Sequence, residues 1–141
     1  MDPYARGKVP PNVYARKCDV TGRIVAVLDA HVDDIGCRLI VQRSRCIHAN
    51  DVCELIMTDE GGKKPGEVVD NVSYYAFFAA DNSGVIIVGD TLRIEGKTHG
   101  TVLGFNESHA PNHINIIIHS PERTTGAEAD LQLQSTVFFN Q

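Results

Sequence analysis

From Lys17 onward the chain never sustains the 3.6-residue apolar period of a helix. It runs instead as short β-prone segments punctuated by glycine and Asx turns. The punctuation falls at Thr21-Gly22, Asp33-Asp34-Ile35-Gly36, Asp59-Glu60-Gly61-Gly62, Asp81-Asn82-Ser83-Gly84, Gly89-Asp90 and Gly96-Lys97. Between these turns the pattern predicts a bent strand or strand pair over Cys18–Val20 and Arg23–Leu28, then strands over Cys37–Val41 and Val52–Thr58. Val68–Ala80 is expected to close into a hairpin with Val85–Val88. Thr91–Glu95, Thr101–Phe105, Asn112–His119 and Leu131–Phe139 follow. This even spacing predicts an all-β fold, a small barrel or barrel-like sandwich of about nine short, mostly antiparallel strands. Helices should be few, with single turns over His48–Asp51 or Ser108–Pro111 as the best candidates. Lys97-Thr98-His99-Gly100 reads as a hairpin tip.

A chain of 141 residues fits one domain. Residues 1–16, with Pro3, Pro10 and Pro11, read as an extended arm, and residues 17–141 as the barrel. No window is apolar over the ~18 residues of a membrane helix, and the first residues lack the apolar core of a secretory signal, so the expected compartment is the cytoplasm. A net charge of -5 with scattered cations excludes a nucleic-acid surface as the main reading. Cys18, Cys37, Cys46 and Cys53 form no C-x-x-C pair and are expected to be reduced, with Cys37 and Cys53 packed as small hydrophobes. The proline-rich arm and the apolar Thr136–Phe139 end favour a homo-oligomer.

The densest polar run is Asn106-Glu107-Ser108-His109-Ala110-Pro111-Asn112-His113. A carboxylate and two imidazoles this close are suited to proton transfer, with Glu107 or His109 as base and His113 as acid. The same three side chains, Glu107, His109 and His113, are ordinary ligands for a divalent metal. Tyr74, Tyr75, Asn112 and Asn115 are the expected ligand-binding residues. The leading reading is thus a small-molecule-binding barrel whose mouth carries this loop, performing an isomerase-, cyclase- or lyase-type step; the plain alternative is a loop held by Asn and Ser hydrogen bonds. His113 and His119 lie roughly 20 Å apart on one extended segment and cannot share an ion. His113, Asn115, Ile117 and His119 form one face of that segment, and Ile114, Ile116 and Ile118 the other. The first face either lines a polar pocket or meets solvent. His48, after Arg45-Cys46-Ile47, is a candidate phosphoryl acceptor.

Gly89-Asp90-Thr91-Leu92-Arg93-Ile94, Gly100-Thr101-Val102-Leu103-Gly104-Phe105 and Pro111-Asn112-His113-Ile114-Asn115-Ile116 together resemble a family of small bacterial proteins of unknown function. The same stretch is similar, more distantly, to the IIA component of the glucitol/sorbitol phosphotransferase system. That resemblance implies a phosphocarrier barrel with phosphate on His48. The histidine expected two residues later is replaced here by Asn50.

Overall fold

In the computed structural model, which describes residues 17–141, the chain forms eleven strands and no helix. The expected arm, residues 1–16, lies outside the described residues. The strands are β1 (Val20–Val32), β2 (Cys37–Arg38), β3 (Ser44–Ile47), β4 (Val52–Thr58), β5 (Val68–Val69), β6 (Val72–Ala80), β7 (Gly84–Ile87), β8 (Thr91–Ile94), β9 (Lys97–Asn106), β10 (Asn115–His119) and β11 (Thr136–Asn140). Seven of them close a barrel in the order β1-β11-β8-β9-β10-β4-β6, so the all-β barrel expected from the turn spacing is what the chain forms. Two small sheets, β2-β5 and β3-β7, stand outside it.

Several local expectations change for identifiable reasons. Thr21-Gly22 is no turn: β1 runs unbroken for 13 residues. Gly22 serves there as a close-approach residue, since a Cβ on it would sit 2.5 Å from the Ala79 carbonyl oxygen of the adjoining β6. Lys97–Gly100 belongs to β9, and the hairpin tip is Glu95-Gly96. Both tip residues have positive φ (52° and 77°), the geometry of a type I′ turn that matches strand twist. Val85–Ile87 does not pair with β6; β7 pairs instead with β3. His48–Asp51 and Ser108–Pro111 are turns. In the Cys37–Val41 segment only Cys37 and Arg38 pair, and Val41 is 70% exposed.

All neighbouring strands of the barrel run antiparallel except β4 and β10, which run parallel with Asn115 opposite Glu54 and Ile117 opposite Ile56. The alternation of side chains sorts two cores. Inside the barrel pack Ile24, Leu55, Met57, Tyr75, Phe78, Leu92, Phe105, Ile116, Ile118 and Phe139, with the rings of Phe78 and Phe139 5.4 Å apart. A second core lies on the outer face of the β9-β10-β4-β6 wall, where Cys37, Leu39 and Val69 of the overlying β2-β5 layer cover Ile56, Val72, Leu103 and Ile117. Gly104 lets Leu39 down onto the wall, because a Cβ there would meet the Leu39 side chain at 3.0 Å. No helix among the described residues is long and apolar enough to cross a membrane.

Candidate functional site

The site is built where the parallel β4–β10 seam meets the loop that precedes β10. Along β4, Cys53, Leu55 and Met57 enter the inner core, so Glu54 must project from the outer face. Its backbone N–H donates to the Ile114 carbonyl at 3.0 Å, which locks the seam at this level. The side chain is only 6% exposed. Oε1 of this buried carboxylate lies 2.9 Å from His113 Nε2 and 4.0 Å from His109 Nδ1. One ligand atom from each of Glu54, His109 and His113 falls within 4.8 Å of the others. The His109 and His113 rings lie 4.9 Å apart at 35°, and His113 stands edge-on to Phe77 at 5.0 Å. Among the described residues, the ion partners of Glu54 are these two imidazoles.

A chain of side-chain amides fixes the histidines. Asn106 Nδ2 donates to the Arg38 carbonyl at 2.8 Å, and Asn106 Oδ1 accepts from the Ser108 N–H at 3.1 Å, so the orientation of this amide is set by the backbone. Asn106 Oδ1 also accepts from Asn115 Nδ2 at 2.9 Å, which in turn lies 3.1 Å from His109 Nδ1. Asn115 presents both amide atoms to that ring nitrogen, Nδ2 at 3.1 Å and Oδ1 at 3.4 Å, and in the nearer contact Asn115 donates to His109 Nδ1. On the other ring, His113 Nδ1 lies 2.6 Å from Asn112 Oδ1 and is a donor. Asn106 and Asn115 are 4% and 2% exposed, so this pair of amides is shielded from water.

Beside the cluster opens a cleft of about 460 Å³, lined by Arg45, Cys46, His48, Asp51, Val52, Asn112 and His113, with buried Ile47, Cys53 and Ile114 supplying its apolar part. His113 thus belongs to both the cluster and the cleft wall. The structure brings His109, His113, Asn112 and Asn115 together, as the polar loop suggested. It separates Glu107, whose carboxylate pairs with Arg45 at 3.0 Å on the surface while Glu54 takes the position beside the imidazoles. His48 lines the same cleft, its backbone N–H bonded to Asp51 at 2.9 Å.

The two tyrosines part company at an irregularity in the β4–β6 pairing between Leu55 and Ile56. Tyr74 turns outward against the second core, where burial and then the charge of Glu54 push its hydroxyl pKa up. Tyr75 turns inward, is pushed up to about 12 by burial, and hydrogen-bonds His99 Nδ1. The Cys53 thiol beside the cleft is pushed up to about 12, by burial and then by Asp51, and so stays protonated and inert. All four cysteines are free. His31 joins buried Ser73 (2.8 Å) to Glu128 (2.7 Å), a serine–imidazole–carboxylate chain whose hydroxyl is sealed from solvent.

The face of the β10 segment that carries His113, Asn115 and Ile117 does not line the barrel: it points outward, with Asn115 and Ile117 buried and His113 partly exposed on the cleft wall. The β2-β5 layer covers Ile117. Glu54 escapes sequence reading because its strand looks two-faced, with Glu54 on a solvent side; the signal was a lone carboxylate in Val52–Thr58, an otherwise apolar run.

A family model described as a family of unknown function, DUF6917, matches residues 14–140. The chain belongs to the DUF6917 family. That match takes in every strand from β1 to β11, so the barrel, its outer layer and the histidine loop form one family unit. No curated protein and no solved structure matches the chain.

Proposed function

We propose that this DUF6917 protein binds a small polar molecule in the cleft beside the β4–β10 seam and exchanges a proton with it through the Glu54–His113 pair. The observation that carries the reading is a carboxylate whose side chain is only 6% exposed, held 2.9 Å from an imidazole that also forms the wall of a ligand-sized cleft. Burying a carboxylate without a cationic partner is costly, and imidazole is the partner that can give up its charge near neutrality. In this reading the proton resides between Glu54 Oε1 and His113 Nε2, Asn112 orients the His113 ring through Nδ1, and Asn112 contributes to ligand recognition. Reaction classes that suit such a pair are isomerisation, cyclisation and elimination.

A thermal-shift screen of small carboxylates, carbonyl compounds and sugar phosphates tests this. Compounds that raise the melting temperature of the wild type by several degrees should lose that effect in Glu54→Gln and in His113→Asn. Equal stabilisation in both variants, or no stabilising compound in a broad collection, would sink the reading.

A second reading, a phosphocarrier with His48 as acceptor, is favoured by the placement of His48 in the same cleft. Its likeness to the phosphotransferase component rests on sequence motifs alone. Acid-labile phosphate on His48 after incubation with a histidine-phosphorelay donor would support it.

A further inference from the structure

The geometry points to a site for one first-row divalent metal ion on Glu54, His109 and His113, in the same place as the proposed proton-transfer pair and resting on that reading only for the role of the cleft. Three lines converge on it.

The first is the gathering of donor atoms. The amide chain from the Arg38 carbonyl through Asn106 and Asn115 holds the Asn115 amide against His109 Nδ1, while the bond from His113 Nδ1 to Asn112 Oδ1 turns Nε2 toward Glu54. Glu54 Oε1 faces His113 Nε2 at 2.9 Å and His109 Nδ1 at 4.0 Å. One potential ligand atom from each of the three residues thus falls within 4.8 Å of the others. A proton can bridge one pair of these atoms; a cation engages all three.

The second is the support around the ligands. A metal-binding histidine ordinarily donates its other ring N–H to an oxygen, which fixes ring and tautomer, and Asn112 Oδ1 does this for His113 at 2.6 Å. His109 exchanges its Asn115 bond for the ion, and the Asn115 amide stays anchored on Asn106 at 2.9 Å.

The third is donor chemistry. Two imidazole nitrogens and one carboxylate oxygen suit zinc, iron(II), cobalt(II) or manganese rather than magnesium or calcium, which prefer all-oxygen sets. Three protein ligands leave coordination positions free, the pattern of reactive rather than structural sites. An ion of charge +2 against one carboxylate leaves a net positive charge bordering the cleft, so the small molecule that completes the shell is an oxygen donor such as a carboxylate or an enolisable carbonyl compound.

Full-length protein, dialysed against chelator and then against metal-free buffer, is titrated with Co²⁺ and Zn²⁺. Binding is followed by calorimetry and by the visible absorption bands of Co²⁺. The expected result is one ion per chain, with Kd raised more than 100-fold in Glu54→Gln and in His109→Ala, and about 10- to 100-fold in Asn112→Ala. Glu107→Gln leaves it unchanged. The His109 side chain is half exposed, so His109→Ala keeps the fold, which its melting curve verifies. Failure of the wild type to hold either ion at micromolar concentration, or wild-type affinity in Glu54→Gln or His109→Ala, overturns the site. Repeating the compound screen in chelator separates the two readings. Compounds that still bind metal-free protein while no ion binds leave the cleft reading standing alone; an ion that binds as expected while no compound does leaves the metal centre standing alone.

Discussion

Strand β10 divides the molecule into two regions of opposite character. Its inward side chains, Ile116 and Ile118, are fully buried in a core of aliphatic and aromatic groups, whereas the outward side carries Asn115 beside Ile117 under a thin covering layer. The inner region is held by dispersion and the hydrophobic effect, which are non-directional and tolerate exchange of one apolar residue for another. The outer region at Glu54, Asn106 and Asn115 is held by directional bonds in which each group is fixed by the next. The lesson is a division of labour: the closed barrel supplies a rigid wall, and the polar groups of the candidate site are mounted on its outside rather than in the packed interior.

The comparison breaks most visibly in the interior. Phe105, fully buried and packed inside the barrel, should cost about 3–5 kcal/mol when changed to Ala, measured by urea unfolding. A loss below about 1 kcal/mol would mean that the inner region is loosely filled and that the contrast is wrong. Next in size is the outer network. Asn106→Ala removes the donor to the Arg38 carbonyl and the acceptor for Asn115 and Ser108, and should cost about 1–3 kcal/mol while also shifting the His109 and His113 ring resonances in NMR spectra. Unmoved histidine resonances would disconnect the amides from the imidazoles.

The smallest effect sharpens the comparison at the one imidazole bonded into the inner core. His99 is held below its ordinary pKa, first by burial and then by Lys97, and its Nδ1 is hydrogen-bonded to Tyr75. Between the ordinary histidine value of about 6.5 and the lower folded value, the unfolded chain binds a proton that the native state refuses. Stability from this group is therefore full above that ordinary value and is lost as pH falls toward the folded one. The wild-type melting temperature should decline between pH 7 and pH 5, and His99→Gln should flatten part of that slope. Identical slopes would remove His99 from the pH response.

Much of this was legible in the sequence, for physical reasons that differ from element to element. Val52–Thr58 emerges with the expected bounds because an apolar run ends in an Asp-Glu-Gly-Gly cluster that cannot continue a strand. The barrel class follows from spacing alone. Pairing partners were harder: β7 lies next to β6 in sequence but pairs with β3, because nothing local encodes which edge a four-residue strand will find. The histidine loop stood out by composition. Its carboxylate partner did not, since Glu107 is near in sequence while Glu54 is near only after a parallel strand pairing that local periodicity cannot reveal.

The parallel seam has a consequence for how the protein becomes competent. Glu54 and His113 are 59 residues apart in the chain and meet because β4, which carries Glu54, and β10, which follows His113, pair side by side. Closing so long a loop is paid in entropy before any contact is made, so the pairing is expected to come late in folding. No fragment ending before β10 can hold the site, and whatever occupies it binds the native chain in preference to the unfolded one. An occupant of the proposed site would therefore act as a latch on barrel closure, adding stability that grows with the logarithm of ligand concentration over its Kd.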